Sequence, residues 1–131
     1  MYFDKIISME NSMKKIIISI VVVGLVFVSI IVSASVTTVF NPIMSVYSIL
    51  KVNLDKDEVY VLAQKKPWKV MIAKDSMNDK SAKDLLDEYM EDDGYYESDR
   101  MGSLITYKND KGNERKIHLS VNKYYSLWEW V

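Results

Sequence analysis

Between Ile16 and Phe40 the chain carries no charged side chain: IIISIVVVGLVFVSIIVSASVTTVF. As a helix, those 25 residues would reach roughly 37 Å at about 1.5 Å per residue, longer than the ~30 Å hydrocarbon core of a bilayer. Gly24, Ala34, the serines and the Thr37-Thr38 pair are tolerable in lipid, because a helix satisfies its backbone internally whatever its side chains. A soluble fold covering every face of such a helix would need far more than 131 residues. The run predicts a transmembrane helix over 16–40. It divides the chain into a cytoplasmic N-terminal segment, 1–15, and an extracytoplasmic domain, 41–131.

Lys14 and Lys15 abut the N-terminal end of the run, whereas Asn41 to Leu50 carry no charge. By the positive-inside rule the N-terminus is then cytoplasmic and the C-terminal domain lies outside, on a single-pass cell-membrane protein. Val32-Ser33-Ala34 has the form of a signal-peptidase site, and cleavage near Ala34 would release the domain as a secreted protein. Two features favour the uncleaved anchor. The apolar stretch before Ser33 is longer than the usual ~7–15 residues of a signal peptide, and the run continues through Val36 and Phe40. Met13-Lys14-Lys15 followed by three Ile is how exported bacterial proteins commonly begin, and the codons for Met9-Glu10 contain a purine-rich, ribosome-binding-like stretch. Translation is therefore expected to start at Met13, with residues 1–12 outside the mature reading frame.

The outer 91 residues hold 14 basic and 16 acidic groups, all three Trp and eight of the nine Tyr. Near-neutral charge argues against nucleic acid as a partner. The absence of Cys excludes disulfides, thiolate metal sites and Cys nucleophiles. Asn41-Pro42 reads as an N-cap with Pro at the first helical position. The following stripe Ile43, Val46, Tyr47 and Leu50 predicts a short amphipathic helix that either continues the membrane helix after a kink or lies along the surface. Glu58 to Ala63 is compatible with strand or helix, and Trp68 to Ile72 alternates as a strand after Pro67. From Ser81 to Asp93 the pattern is helical, with Ala82, Leu85, Leu86, Tyr89 and Met90 in one arc, a Ser81/Asp84 capping box and Gly94 to end it. Strands at Leu104 to Lys108, Arg115 to Val121 and Tyr124 to Val131 follow, the last two joined by a tight Asn122-Lys123 hairpin. The expectation is α+β: a membrane helix, then a two-layer β-α-β-β-β domain with one helix on one sheet face.

Candidate chemistry is sparse. Glu91, Asp92, Asp93 and Asp99 form an acidic group that opposes the dipole of the preceding helix and could attract a cation, but no EF-hand spacing is present. His118, the only His, falls on a polar strand face with no partner suggested by spacing, and Ser98 and Ser103 lie in no nucleophile elbow. Neither catalytic residues nor cofactor or metal ligands are assigned. The last strand carries Tyr124, Trp128 and Trp130 on one side and Tyr125, Leu127 and Val131 on the other. One helix cannot cover both, so Tyr124, Trp128 and Trp130 are the expected partner surface unless the juxtamembrane helix folds back through Ile43, Tyr47 and Leu50.

The Met-Lys-Lys start, the single apolar helix and the run LLDEYMEDDGYYESDRMGSLITYKND over residues 85–110 loosely resemble small single-pass membrane proteins of Gram-positive bacteria. The resemblance implies a compact domain held at the cell surface and transfers no site. Together these features predict a non-enzymatic membrane-anchored interaction module, with the lipid bilayer and an envelope protein as partners. The alternatives are a small hydrolase using the Glu91/Asp92/Asp93/Asp99 carboxylates, or an immunity or regulatory subunit acting through its membrane helix.

Overall fold

The computed structural model describes residues 1–131. Its first element, α1 (Tyr2–Thr37), takes in the charged N-terminal stretch as well as the apolar run, and stops three residues before the run does. The reason lies just downstream. A residue preceding Pro is pushed out of the α region, and Asn41 is extended (φ −87°, ψ 107°), so that its Oδ1 accepts from the N–H groups of Ile43 and Met44 at 3.0 and 3.3 Å. The chain must therefore turn between Thr37 and Asn41. Thr38 takes a left-handed conformation (φ 56°) and donates its N–H to the Ala34 carbonyl, while Ser33 Oγ donates to the Val39 carbonyl at 2.7 Å. Small hydroxyl residues let the next helix, α2 (Pro42–Leu54), approach closely: Thr37 Oγ1 and Ser45 Oγ share a 2.8 Å hydrogen bond.

The rest is a six-stranded antiparallel sheet, a small two-stranded hairpin and a third helix. In chain order these are β1 (Tyr60–Gln64), β2 (Val70–Ala73), a small hairpin of β3 (Ser76–Met77) and β4 (Lys80–Ser81), α3 (Ala82–Asp92), β5 (Tyr95–Met101), β6 (Leu104–Asn109), β7 (Glu114–Val121) and β8 (Ser126–Trp130). The six-stranded sheet runs β1-β2-β8-β7-β6-β5, so the C-terminal strand fills the gap between the N-terminal and C-terminal hairpins. The expected α+β class holds. The β-α-β-β-β order is corrected: residues 60–64 are a strand, β5 was not foreseen, and four strands follow α3. The tight Asn122-Lys123 hairpin is corrected too. Val121 pairs with Ser126, and Asn122 Oδ1 accepts from the N–H groups of Tyr124 and Tyr125 to hold a four-residue turn.

The two-layer expectation holds for only half the sheet. On one face α3 buries Ala82, Leu85, Leu86 and Met90 against Met71, Ile105, Tyr107, Ile117 and Trp128. On the other, Val39 and Val52 pack with Ala63, Val70, Ile72 and Tyr125, flanked by Met44, Ile49 and Leu127. Over β1 and β2 the domain thus has three layers, α2, sheet and α3, whereas the outer faces of β5, β6 and β7 meet solvent. This explains the bulky residues on both sides of β8: Trp128 faces the α3 layer and Leu127 the α2 layer. The helix does fold back, but by an unexpected stripe. Ser45, Ser48 and Val52 are buried, while Ile43, Val46, Tyr47 and Leu50 are exposed.

Candidate functional site

Trp128 is fully buried, so it belongs to the core and not to a partner surface. Tyr60 and Tyr89 stand against it with ring centroids at 5.7 and 5.6 Å, and Tyr60 meets Tyr89 edge-on at 5.0 Å. Trp130, half-buried, completes the group at 6.1 Å from Tyr89. Lys69 caps it: its Nζ lies 4.0 Å from the Trp130 ring centroid and donates to the Tyr89 hydroxyl at 2.8 Å. A cation over an indole face is held by the ring quadrupole. Burial, reinforced by the neighbouring Tyr89 and Asp92, pushes the Tyr60 hydroxyl pKa up.

Tyr124 lies elsewhere. It is 62% exposed in the turn before β8, whereas Trp130 is the last residue of that strand, at its opposite end. The three residues expected to form one surface are therefore a turn residue, a core residue and an edge residue. The structure instead gathers Tyr60, Lys69, Tyr89 and Trp130. Tyr89 was legible in the apolar arc of α3, but nothing in the sequence signalled that β1 and the β1–β2 turn would meet it. Beside this edge opens a cleft of about 300 Å³ lined by Tyr60, Met77, Lys80, Glu88, Tyr89 and Asp92, with a Lys80–Glu88 ion pair at 2.8 Å in its wall.

The acidic group does not assemble. Asp93 pairs with Arg115, whose guanidinium lies over the Tyr95 ring at 4.0 Å. Asp99 accepts from the Arg100 N–H, and Arg100 turns its side chain to the Gly102 carbonyl instead of the helix end. No three His, Asp or Glu side chains come together in a way that would hold a metal ion. Carboxylates gather instead around Lys83, which pairs with Asp87 and Glu97, while Tyr107 donates to Asp87 at 2.7 Å. Burial works against the Lys83 ammonium, but these hydrogen bonds outweigh it and raise its pKa; burial and Asp87 together push the Tyr107 hydroxyl far up. The network ties α3 to β5 and β6.

His118 does have a partner that spacing concealed: its Nδ1 is 2.9 Å from Ser103 Oγ, because β6 and β7 bring the β5–β6 turn beside it. The pair is exposed and no carboxylate is hydrogen-bonded to the ring. A nucleophilic Ser needs its base oriented by a third group, and Ser103 is the one side chain bonded to the His118 ring.

The junction of α1 and α2 is the other distinctive region. The two helices diverge from the Thr37–Pro42 turn and enclose a groove of about 530 Å³ that reaches from Thr37 back to Leu25 on α1 and to Ile49 on α2. Its walls carry Val28, Val32, Val36 and Val46, and no charged residue. At the turn Phe40 packs on Trp68 with centroids 5.3 Å apart, and Gln64 clasps both segments, accepting from the Phe40 N–H at 2.9 Å and donating to the Trp68 carbonyl at 3.3 Å. Compared with family models, curated proteins and solved structures, the chain gives no match.

Proposed function

We propose that the chain is a single-span membrane anchor carrying an extracytoplasmic docking domain without catalysis of its own. The observation that carries this reading is α1. It is long and apolar enough to cross a membrane, and only 6% of its most apolar window is buried by the rest of the protein. Each large aliphatic side chain moved from water to an apolar phase contributes ~1.5–3 kcal/mol, so the run from Ile16 to Val36 has a strong drive into lipid. Lys14 and Lys15 at its N-terminal end support a cytoplasmic N-terminus by the positive-inside rule. The domain that follows is hydrogen-bonded and packed within itself on both sides of β1 and β2, as a module held outside the membrane would be.

For the partner the favoured surface is the aromatic edge of Tyr60, Tyr89 and Trp130 with the adjoining cleft. Tyr and Trp are the residue types enriched at binding hot spots, and Asp92 in the cleft wall, beside the Lys80–Glu88 pair, suits a partner segment bearing Lys or Arg. The dispersed carboxylates and the unoriented Ser103–His118 pair support a binding role over a hydrolytic one. The test is topological. Protease added to intact protoplasts should remove the domain from Asn41 onward and leave α1 in an alkali-resistant membrane fraction. Recovery of the domain from the medium with Ser35 as its first residue would show a cleaved signal sequence instead.

A further inference from the structure

We propose that α2 is an interfacial helix whose outward face, Ile43, Val46, Tyr47, Leu50 and Leu54, is seated in the outer leaflet of the bilayer that α1 crosses. This rests on the anchor reading above and goes beyond it, since an anchor needs no second lipid contact.

α2 carries two apolar stripes. At 100° per residue, Met44, Ser48, Val52, Ser45 and Ile49 occupy one arc, and Val46, Leu50, Ile43, Leu54 and Tyr47 the opposite one. The first arc faces the sheet and α1. The second is exposed throughout, from 50% at Tyr47 to 78% at Leu54. A helix apolar all round is buried on all sides, and the protein covers α2 on one side only. No charge interrupts the chain from Ile16 to Leu50, yet about 20 residues suffice for a span. The surplus is the α1–α2 turn and most of α2.

What covers that outer face follows from continuity. It is separated from the lipid-compatible surface of α1 by a turn of four residues, Thr38 to Asn41, and the groove between the helices is walled by apolar and small residues of both. A groove flanked on one side by a membrane helix, and open, admits acyl chains. The boundary groups match a headgroup region. Phe40 and Trp68 stack where α1 ends, next to Lys65 and Lys66 on the β1–β2 turn, the aromatic and cationic pair that marks a membrane interface. At the far end of α2 the first charge, Lys51, lies at the margin of the stripe, paired with Glu58 at 3.2 Å and 6.0 Å from the Tyr47 ring centroid. Lys and Tyr at that margin hold a polar tip in water over an apolar body in lipid. With α2 lying flat, the sheet rests above it and α3, on the opposite face of the sheet, stands furthest from the membrane.

The chain has no cysteine, so single-site spin labelling of the full-length protein in phosphatidylcholine vesicles tests this. Labels at Ile43→Cys, Val46→Cys and Leu50→Cys are compared with Phe27→Cys on α1 and Glu91→Cys on the outer face of α3. All five positions are exposed, so the labels leave the core untouched. The ratio of accessibility to oxygen over that to a water-soluble nickel chelate should be high at the three α2 positions, near the Phe27 value and on the order of tenfold above Glu91, as for a face buried below the headgroups. If the α2 labels follow Glu91 while Phe27 stays lipid-exposed, the proposal fails and the anchor stands. If α2 labels are shielded from both reagents, a second copy or a partner helix covers the face and the lipid assignment is wrong. If Phe27 itself is reached by the chelate, the anchor reading fails and this inference fails with it.

Discussion

The two helices that sandwich the sheet are built on different rules. α3 has 11 residues and one buried stripe, with Asp84, Glu88 and Glu91 turned to solvent and Lys83 and Asp87 at the margin, bonded to β5 and β6. Its start is closed by a reciprocal capping box between Ser81 and Asp84, and its end by Gly94 at φ 78°. α2 has 13 residues, a single charge at Lys51, and apolar side chains on its outer face as well as its inner one. Both pack on the same sheet, so the inner environment is alike. The difference lies outside. The polar face of α3 is solvated, while α2 presents to its surroundings the same chemistry it presents to the core. A helix records both of its neighbours, and only one neighbour of α2 is protein.

The comparison is sharpest in the core. Trp128 is the largest fully buried side chain and stands in the α3 layer, so Trp128→Ala should destabilise the domain by about 3–5 kcal/mol, read by chemical denaturation of the full chain in detergent. A near-native midpoint would mean that the aromatic group is not core. The next contrast matches one leucine on each helix. Leu86→Ala, at a position with no exposure, should cost about 2–5 kcal/mol. Leu50→Ala, half-exposed on the outer face of α2, should stay within about 0.5 kcal/mol in the same assay. Comparable losses at both would show that something in the protein already covers α2.

That pair also shows where the sequence was readable. α3 could be placed to within a residue because its apolar arc is opposed by charge and bracketed by Ser81 and Gly94. α2 could be located from Asn41-Pro42, but not oriented. Two of its five inward residues are Ser45 and Ser48, which count as polar in a pattern and yet are buried, Ser45 on Thr37 and Ser48 without a hydrogen-bond partner. The outward stripe is the more hydrophobic of the two, so periodicity chose the wrong face. β5 escaped for a related reason. YYESDRM places only Tyr95 in the core, and a bulge between Glu97 and Asp99 breaks its alternation. It is an edge strand whose charges guard an open hydrogen-bonding edge. The aromatic edge was illegible beyond Tyr89 and the β8 tryptophans, because Tyr60 and Lys69 reach it through the β1-β2-β8 pairing, which has no local signature.

A smaller effect separates the two N-termini. Ser81→Ala and Asn41→Ala each remove a side-chain cap and should each cost about 0.5–2 kcal/mol at neutral pH, measured as shifts in denaturation midpoint. Similar losses would place the difference between the helices in their faces and not in their ends. A loss at Ser81 alone would mean that the α1–α2 turn holds α2 without its cap.

The smallest effect, a pH dependence, belongs to one cap only. Asp84 Oδ2 accepts from both the N–H and the Oγ–H of Ser81 at 2.7 Å, and the side-chain bond to Ser81, with the backbone bond next, holds the carboxyl below its ordinary pKa. A carboxyl depressed in the folded state stabilises the fold fully above its unfolded pKa, and that contribution is lost as pH falls through the folded value. The α2 cap is an amide and does not titrate. The stability difference between wild type and Ser81→Ala should therefore shrink as pH is lowered from about 5 to about 3, the range spanning an unperturbed and a depressed Asp, while the difference for Asn41→Ala stays flat. Asp84→Asn supplies the check, since it removes the titrating group and should abolish the Ser81-specific slope. If the Ser81→Ala difference is constant with pH, or the Asn41→Ala difference moves in parallel with it, the acid sensitivity arises elsewhere, with Glu114 beside Lys108 on the β6–β7 hairpin the next carboxyl held low by its partner.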